Sequence, residues 1–195
     1  MKLRMMATLL LTLSVACAGV IGSMFFFQSH FIYYPQLGKE MVATPADMGL
    51  AYEEIDLHTE DGETLSAWWM PAPNARGAFL LLHGNAGNIS HRLGYVPIFR
   101  RLGYSTLLVD YRGYGESTGS PSEEGTYLDG AASWTWLTQT RGIAPRDIVI
   151  FGESLGGGVA TWLASRHTPR AVVLASTFTS IPDLAEELYP YLPVR

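Results

Sequence analysis

Apolar and polar positions follow two regimes along this chain. From Met5 to Phe27 no charged residue occurs, and Leu, Val, Ala, Ile, Met and Phe dominate. A helix of that length rises about 34 Å, enough to cross a hydrocarbon core of about 30 Å. Phe25, Phe26, Phe27, Phe31, Tyr33 and Tyr34 then cluster where the far interface of a membrane would lie. Residues 28–51, with Tyr34-Pro35, read as a short exposed approach. From Tyr52 onward the pattern changes to an alternation of strand and helix.

Glu53–His58 and Thr64–Met70 read as strands around a turn at Asp61-Gly62. Their partial alternation predicts an antiparallel pair with one wet face, which sets Trp68 and Trp69 on opposite sides, one inward and one outward. Ala78–Leu82 and Ser105–Val109 are continuous apolar runs, the signature of strands buried on both faces, and the apolar β-branched Ile148–Phe151 and Ala171–Ala175 read as two further strands. Helices are expected over Ile89–Arg101, with Asn88 as cap, and over Ser122–Thr140, with Ser122 and Glu124 at its start and Gly142 past its end. Another opens after Ser154, and Ser180-Ile181-Pro182-Asp183 reads as a capping box opening a last one. Trp134 and Trp136 fall on different faces of their helix. The fold class is α/β, with a mostly parallel sheet and flanking helices.

Composition sharpens this. At 195 residues, 48% apolar and 16% charged, the chain suits one packed domain plus an appendage, divided as 1–27, 28–51 and 52–195. A net charge of −5 without a Lys/Arg cluster argues against nucleic acid as a partner. Cys17 is the sole cysteine, so an intramolecular disulfide is excluded. Lys2 and Arg4 precede the apolar run, which by the positive-inside rule leaves the N-terminus cytoplasmic and the globular part exported. The rival reading, a cleaved signal peptide with Ser14-Val15-Ala16 at the cleavage site, exports the same domain.

The chemistry centres on Gly152-Glu153-Ser154-Leu155-Gly156, a G-x-S-x-G segment between a β-branched run and a glycine-rich helix start. A strand-turn-helix of this kind strains the serine backbone, lifts its hydroxyl clear of the sheet and aims a helix N-terminus at developing negative charge. Two earlier strands also end in marked loops: Leu82 runs into His83-Gly84-Asn85-Ala86-Gly87-Asn88, and Val109 into Asp110-Tyr111-Arg112-Gly113-Tyr114-Gly115. His83 reads as a turn residue bonded to backbone rather than as a general base. Asp110 and Arg112 read as a loop-bracing ion pair, and Glu153 as a support rather than a catalytic acid.

Taken in order, these three motifs resemble the α/β-hydrolase superfamily over nearly all of residues 52–195. With the aromatic anchor and Phe31-Ile32-Tyr33-Tyr34-Pro35, they look more narrowly like its membrane-anchored, serine-aminopeptidase-like branch, which is similar to eukaryotic depalmitoylating thioesterases. The resemblance implies that Ser154 is the nucleophile of an acyl-enzyme. The backbone N–H groups of Leu155 and Asn85 would then form the oxyanion hole. His83, Gly84, Gly152, Gly156 and Asp110 would support the motifs. Ester, thioester and amide substrates share this nucleophile and hole, and no metal or organic cofactor is implied.

The same resemblance places a triad acid and then a histidine after two further strands. His167 is the one histidine beyond Ser154. It stands thirteen residues on, about 20 Å along an intact helix and outside hydrogen-bond reach. Asp183, Glu186 and Glu187 are the only later carboxylates. Leu184–Arg195 resembles the start of a cap segment. The expectation is an N-terminal portion of a serine hydrolase lacking its acid and base, with Ala171–Ala175 as an apolar edge. The rivals are an inactive truncated product and a non-catalytic binding or scaffold protein on the same fold.

Overall fold

The computed structural model describes residues 2–188, so Tyr189–Arg195, part of the expected cap segment, lie outside the described residues. The chain divides after Tyr34 into two units. The first holds α1 (Lys2–Phe26) and the short α2 (Gln28–Ile32). Uncharged through its centre, α1 satisfies its backbone internally, and the Thr8 and Thr12 hydroxyls bond back to the carbonyls of Arg4 and Thr8. Arg4–Ser23 is long and apolar enough to cross a membrane.

The second unit, from Pro35 onward, is built on six strands: β1 (Glu53–His58), β2 (Thr64–Met70), β3 (Ala78–Leu82), β4 (Ser105–Val109), β5 (Ile148–Glu153) and β6 (Ala171–Ala175). Their order is β1-β2-β4-β3-β5-β6; the β1-β2 and β2-β4 pairs are antiparallel and the rest parallel. β3, β4 and β5 are buried almost throughout, as their unbroken apolar runs require. Among the described residues β6 pairs only with β5, and Val172, Val173 and Leu174 are 36%, 39% and 48% exposed, an apolar edge.

Two expectations are corrected. Trp68 and Trp69 do not divide between core and solvent: they are 4% and 6% exposed. Trp68 lies in the core with Tyr52 edge-on at 5.8 Å, while Trp136 covers the opposite face and meets Trp69 at 5.4 Å. The helix expected over Ile89–Arg101 splits into a 3₁₀ segment, Ile89–Tyr95, and α3 (Val96–Arg101), because Pro97 has no N–H to continue an α-helical ladder and sits instead in a new first turn. The approach is largely exposed, as at residues 36–40 and 46–49, while Met41, Ala43, Leu50 and Tyr52 are partly buried against the core.

α4 (Glu123–Thr135) starts where Ser122 Oγ accepts the Gly125 N–H, and Trp136–Thr140 continues it as a π-helical turn. α5 (Gly156–Ala164) follows β5, and α6 (Ile181–Leu188) begins where the Asp183 N–H donates to Ser180 Oγ at 3.1 Å.

The predicted Asp110–Arg112 pair does not form. Arg112 is buried and its guanidinium is taken by two other carboxylates: Asp129 of α4 at 2.9 Å and Asp61 of the β1-β2 turn at 2.7 and 3.0 Å. The fork of donors matches both acids at once, which one adjacent aspartate would not. Burial pushes the Asp129 carboxyl up to about 6 against the opposing pull of Arg112. Hydrogen bonds from Arg112 hold the Asp61 carboxyl well below the usual range.

The signs are opposite. The folded state favours protonated Asp129, an advantage lost as pH rises through about 6. Asp61 stabilises above its ordinary titration range and loses that contribution as pH falls. Removing the guanidinium with Arg112→Ala leaves Asp129 buried and unpaired, and costs about 3–5 kcal/mol. Urea unfolding of the detergent-solubilised chain should show that loss growing between about pH 5 and pH 8 as Asp129 is forced to ionise without a partner. A loss independent of pH would contradict the assignment.

Candidate active site

β3 lies between β4 and β5, so the chain leaves it toward one side of the sheet and returns on the other. Such a switch point opens a crevice at the carboxyl ends of the strands. Register places both loops there: Leu82, the last residue of β3, pairs with Gly152 near the end of β5. The loops beginning at His83 and Ser154 therefore leave the sheet side by side.

Ser154 has φ +51°, a left-handed backbone that costs a non-glycine residue about 1–3 kcal/mol. Its surroundings hold it there. The Ser154 N–H donates to the Ala175 carbonyl at 2.9 Å, and Thr177 Oγ1 donates to the Ser154 carbonyl at 2.8 Å. α5 sits directly against the end of β3: a Cβ on Gly156 would stand 2.1 Å from the Leu82 oxygen and 2.8 Å from that of His83. A Cβ on Gly84 would lie 3.3 Å from the Ser154 Cβ, so the H-G turn touches the serine. Among the described residues, the Leu155 N–H just past the serine has no acceptor.

The loop after β3 is braced on several sides. His83 is fully buried, with Nδ1 2.7 Å from the Gly84 carbonyl and Nε2 3.2 Å from Asp110 Oδ1. Asp110 Oδ1 also accepts the Ile89 N–H at 2.9 Å. Asp110 thus pairs with His83 instead of Arg112. The Asn85 side-chain oxygen accepts the Tyr114 hydroxyl at 2.7 Å. Arg92 bridges loop and elbow: it donates to the Ala86 carbonyl at 2.7 Å and to both Glu153 oxygens at 3.3 Å. Glu153 is therefore occupied in a bidentate pair.

None of the five histidines hydrogen-bonds the Ser154 hydroxyl among the described residues. His30 stacks edge-on with Phe27, His58 meets Thr64, His83 is walled in by Gly84 and Asp110, and His91 lies against Asn88. His167 follows the far end of α5 and stacks on Trp134 at 4.6 Å; burial, with Arg166 nearby, lowers its basicity. Among the described residues no group of three His, Cys, Asp or Glu could hold a metal ion.

Arg92, Tyr114 and Thr177 escape a reading of sequence alone. Arg92 reaches Glu153 across 61 residues, Tyr114 reaches Asn85 across 29 and Thr177 reaches the Ser154 carbonyl across 23, each to a partner that carries no local signature.

A model of the alpha/beta hydrolase fold matches residues 77–194. Protein bem46 of Schizosaccharomyces pombe is 37% identical over 180 residues, covering 88% of this chain and 60% of the relative. Lysophosphatidylserine lipase ABHD12 of Danio rerio is 34% identical over 181 residues, covering 76% of this chain and 47% of that protein. The crystal structure of an alpha-beta hydrolase from Vibrio vulnificus superposes with a TM-score of 0.69 at 24% identity, covering 81% of this chain and 59% of that one. The chain thus spans about half to three fifths of the length of these proteins.

The contact between α5 and the end of β3 predicts opposite outcomes for two neighbouring glycines. Gly156→Ala drives a methyl group into the Leu82 carbonyl and should cost about 1–3 kcal/mol or more. At Gly158, exposed and with nothing within 4 Å of an added Cβ, alanine should stabilise by about 0.5–1 kcal/mol. Thermal unfolding of both variants checks this, and a neutral Gly156→Ala would refute the close approach.

Proposed function

The chain belongs to the α/β-hydrolase fold family, and on that footing we propose that it is a serine hydrolase acting through an acyl-enzyme on Ser154. The observation that carries the reading is the left-handed Ser154 backbone at the end of β5, in register with the H-G turn at the end of β3. In this mechanism Ser154 Oγ attacks the carbonyl carbon of an ester, thioester or amide. The resulting oxyanion takes hydrogen bonds from the N–H groups of Leu155 and Asn85. Collapse expels the alcohol, thiol or amine, and water then hydrolyses the acyl-serine. The lysophosphatidylserine lipase among the relatives supports this class. The substrate is a small or acylated molecule, not a nucleic acid, and neither metal nor organic cofactor takes part.

The N-terminal helix serves as a single membrane anchor in this reading. Lys2 and Arg4 keep its start cytoplasmic and place the domain on the exported side.

No residue of this sequence is assigned as general base or triad acid. A second reading, a non-catalytic binding protein on the same fold, is favoured by one observation: no histidine bonds the Ser154 hydroxyl among the described residues. A fluorophosphonate probe separates the two. The expected result is slow covalent labelling at Ser154, its rate lowered in step with turnover, and abolished by Ser154→Ala. Turnover of a p-nitrophenyl ester by these 195 residues should run about 10⁴- to 10⁶-fold below that of a complete triad enzyme. No labelling of the wild-type chain would favour the binding protein, and labelling that survives Ser154→Ala would overturn the nucleophile.

A further inference from the structure

A stretch of chain far from the elbow in sequence grips the loop that carries Asn85. The Gly87 N–H donates to the Leu37 carbonyl at 2.7 Å. Asn88, fully buried, turns its side-chain nitrogen to three successive carbonyls, those of Gly38, Lys39 and Glu40, at 3.2, 2.8 and 3.0 Å. Its side-chain oxygen accepts the Ser90 N–H at 3.0 Å and the Ser90 hydroxyl at 2.5 Å. The Ser90 oxygen in turn accepts the Val42 N–H at 3.0 Å. Residues 36–40 are themselves exposed, so these bonds rather than burial hold them in place.

We infer that residues 37–42 form a strap that positions the oxyanion loop, with Asn88 as the clamp. The inference rests on the reading of Asn85 as an oxyanion donor. Only one residue, Ala86, separates Asn85 from Gly87, so a shift of Gly87 moves the Asn85 N–H. A donor must stand about 3 Å from the developing oxyanion, and a misplacement of about 1 Å can cost about a hundredfold in rate. Asn88 is a positioning residue, acting on the reaction through Gly87 and Asn85. The strap begins three residues after Tyr34, where the N-terminal helical unit ends. The peptide leading away from the apolar helix is therefore the one that holds the oxyanion loop, and the tether is part of the catalytic apparatus as well as a linker.

Two variants of the full chain in detergent test this. Asn88→Asp keeps the oxygen that accepts from Ser90 and removes the donor to the strap. Gly38→Val leaves Asn88 intact but places side-chain atoms at a left-handed position, 3.1 Å from the Gly87 Cα. In both, hydrogen exchange of the Gly87 amide should accelerate about tenfold or more, while the β3 and β5 amides stay protected. Fluorophosphonate labelling of Ser154 should slow by about tenfold or more, in the maximal labelling rate rather than in the probe's apparent affinity. Unchanged Gly87 exchange in both variants overturns the strap, as does faster exchange with unchanged labelling. If the wild-type chain takes no label, the reading of Ser154 fails, and Gly87 exchange still decides whether the strap holds the loop.

Discussion

Parallel pairing of β3 with β5, in the register that sets Leu82 opposite Gly152, determines where both loops of the site begin. Backbone hydrogen bonds fix that register, and burial of both strands on both faces makes a slip costly, because displaced side chains would have to repack on both sides of the sheet. With it in place, the α5 helix can start only if residue 156 has no side chain, since the Leu82 carbonyl occupies the space a Cβ would need. The strained Ser154 backbone is then held between the Ala175 and Thr177 bonds on one side and the H-G turn on the other.

Above the sheet, polar side chains do what apolar packing does below it. Arg92, Asp110 and Arg112 each join segments distant in sequence: loop to elbow, β4 end to β3 end, and α4 to the β1-β2 turn. The Arg112–Asp129 pair is buried, and such a pair adds little net stability when both charges must be desolvated, yet breaking it leaves an unpaired charge and is expensive. Together these contacts make the loop conformations specific. Asn88 belongs to the same scheme, with carbonyls of the strap in the place of carboxylates.

The sheet was largely legible in the sequence because strands buried on both faces leave unbroken apolar runs, as at Ala78–Leu82 and Ser105–Val109. The elbow was legible because its chemistry is local: five consecutive residues between a strand and a helix. What escaped had a long-range cause. Period-two reasoning sets one of Trp68 and Trp69 outward because it cannot see Trp136, in the turn that continues α4, arriving to cover Trp69. Sequence proximity pairs Arg112 with its near neighbour Asp110, whereas its partners come from 51 residues before and 17 after. The strap was invisible because it is recognised through backbone carbonyls, which every residue type carries.

In the proposed mechanism Ser154 faces an oxyanion hole made by the H-G turn and the elbow together. A crystal structure of the chain after reaction with a fluorophosphonate tests it most directly. The proposed hole requires phosphorus bonded to Ser154 Oγ, with one phosphonyl oxygen about 3 Å from both the Leu155 and Asn85 N–H groups. A Ser154 adduct whose phosphonyl oxygens point to solvent or to other donors would contradict it.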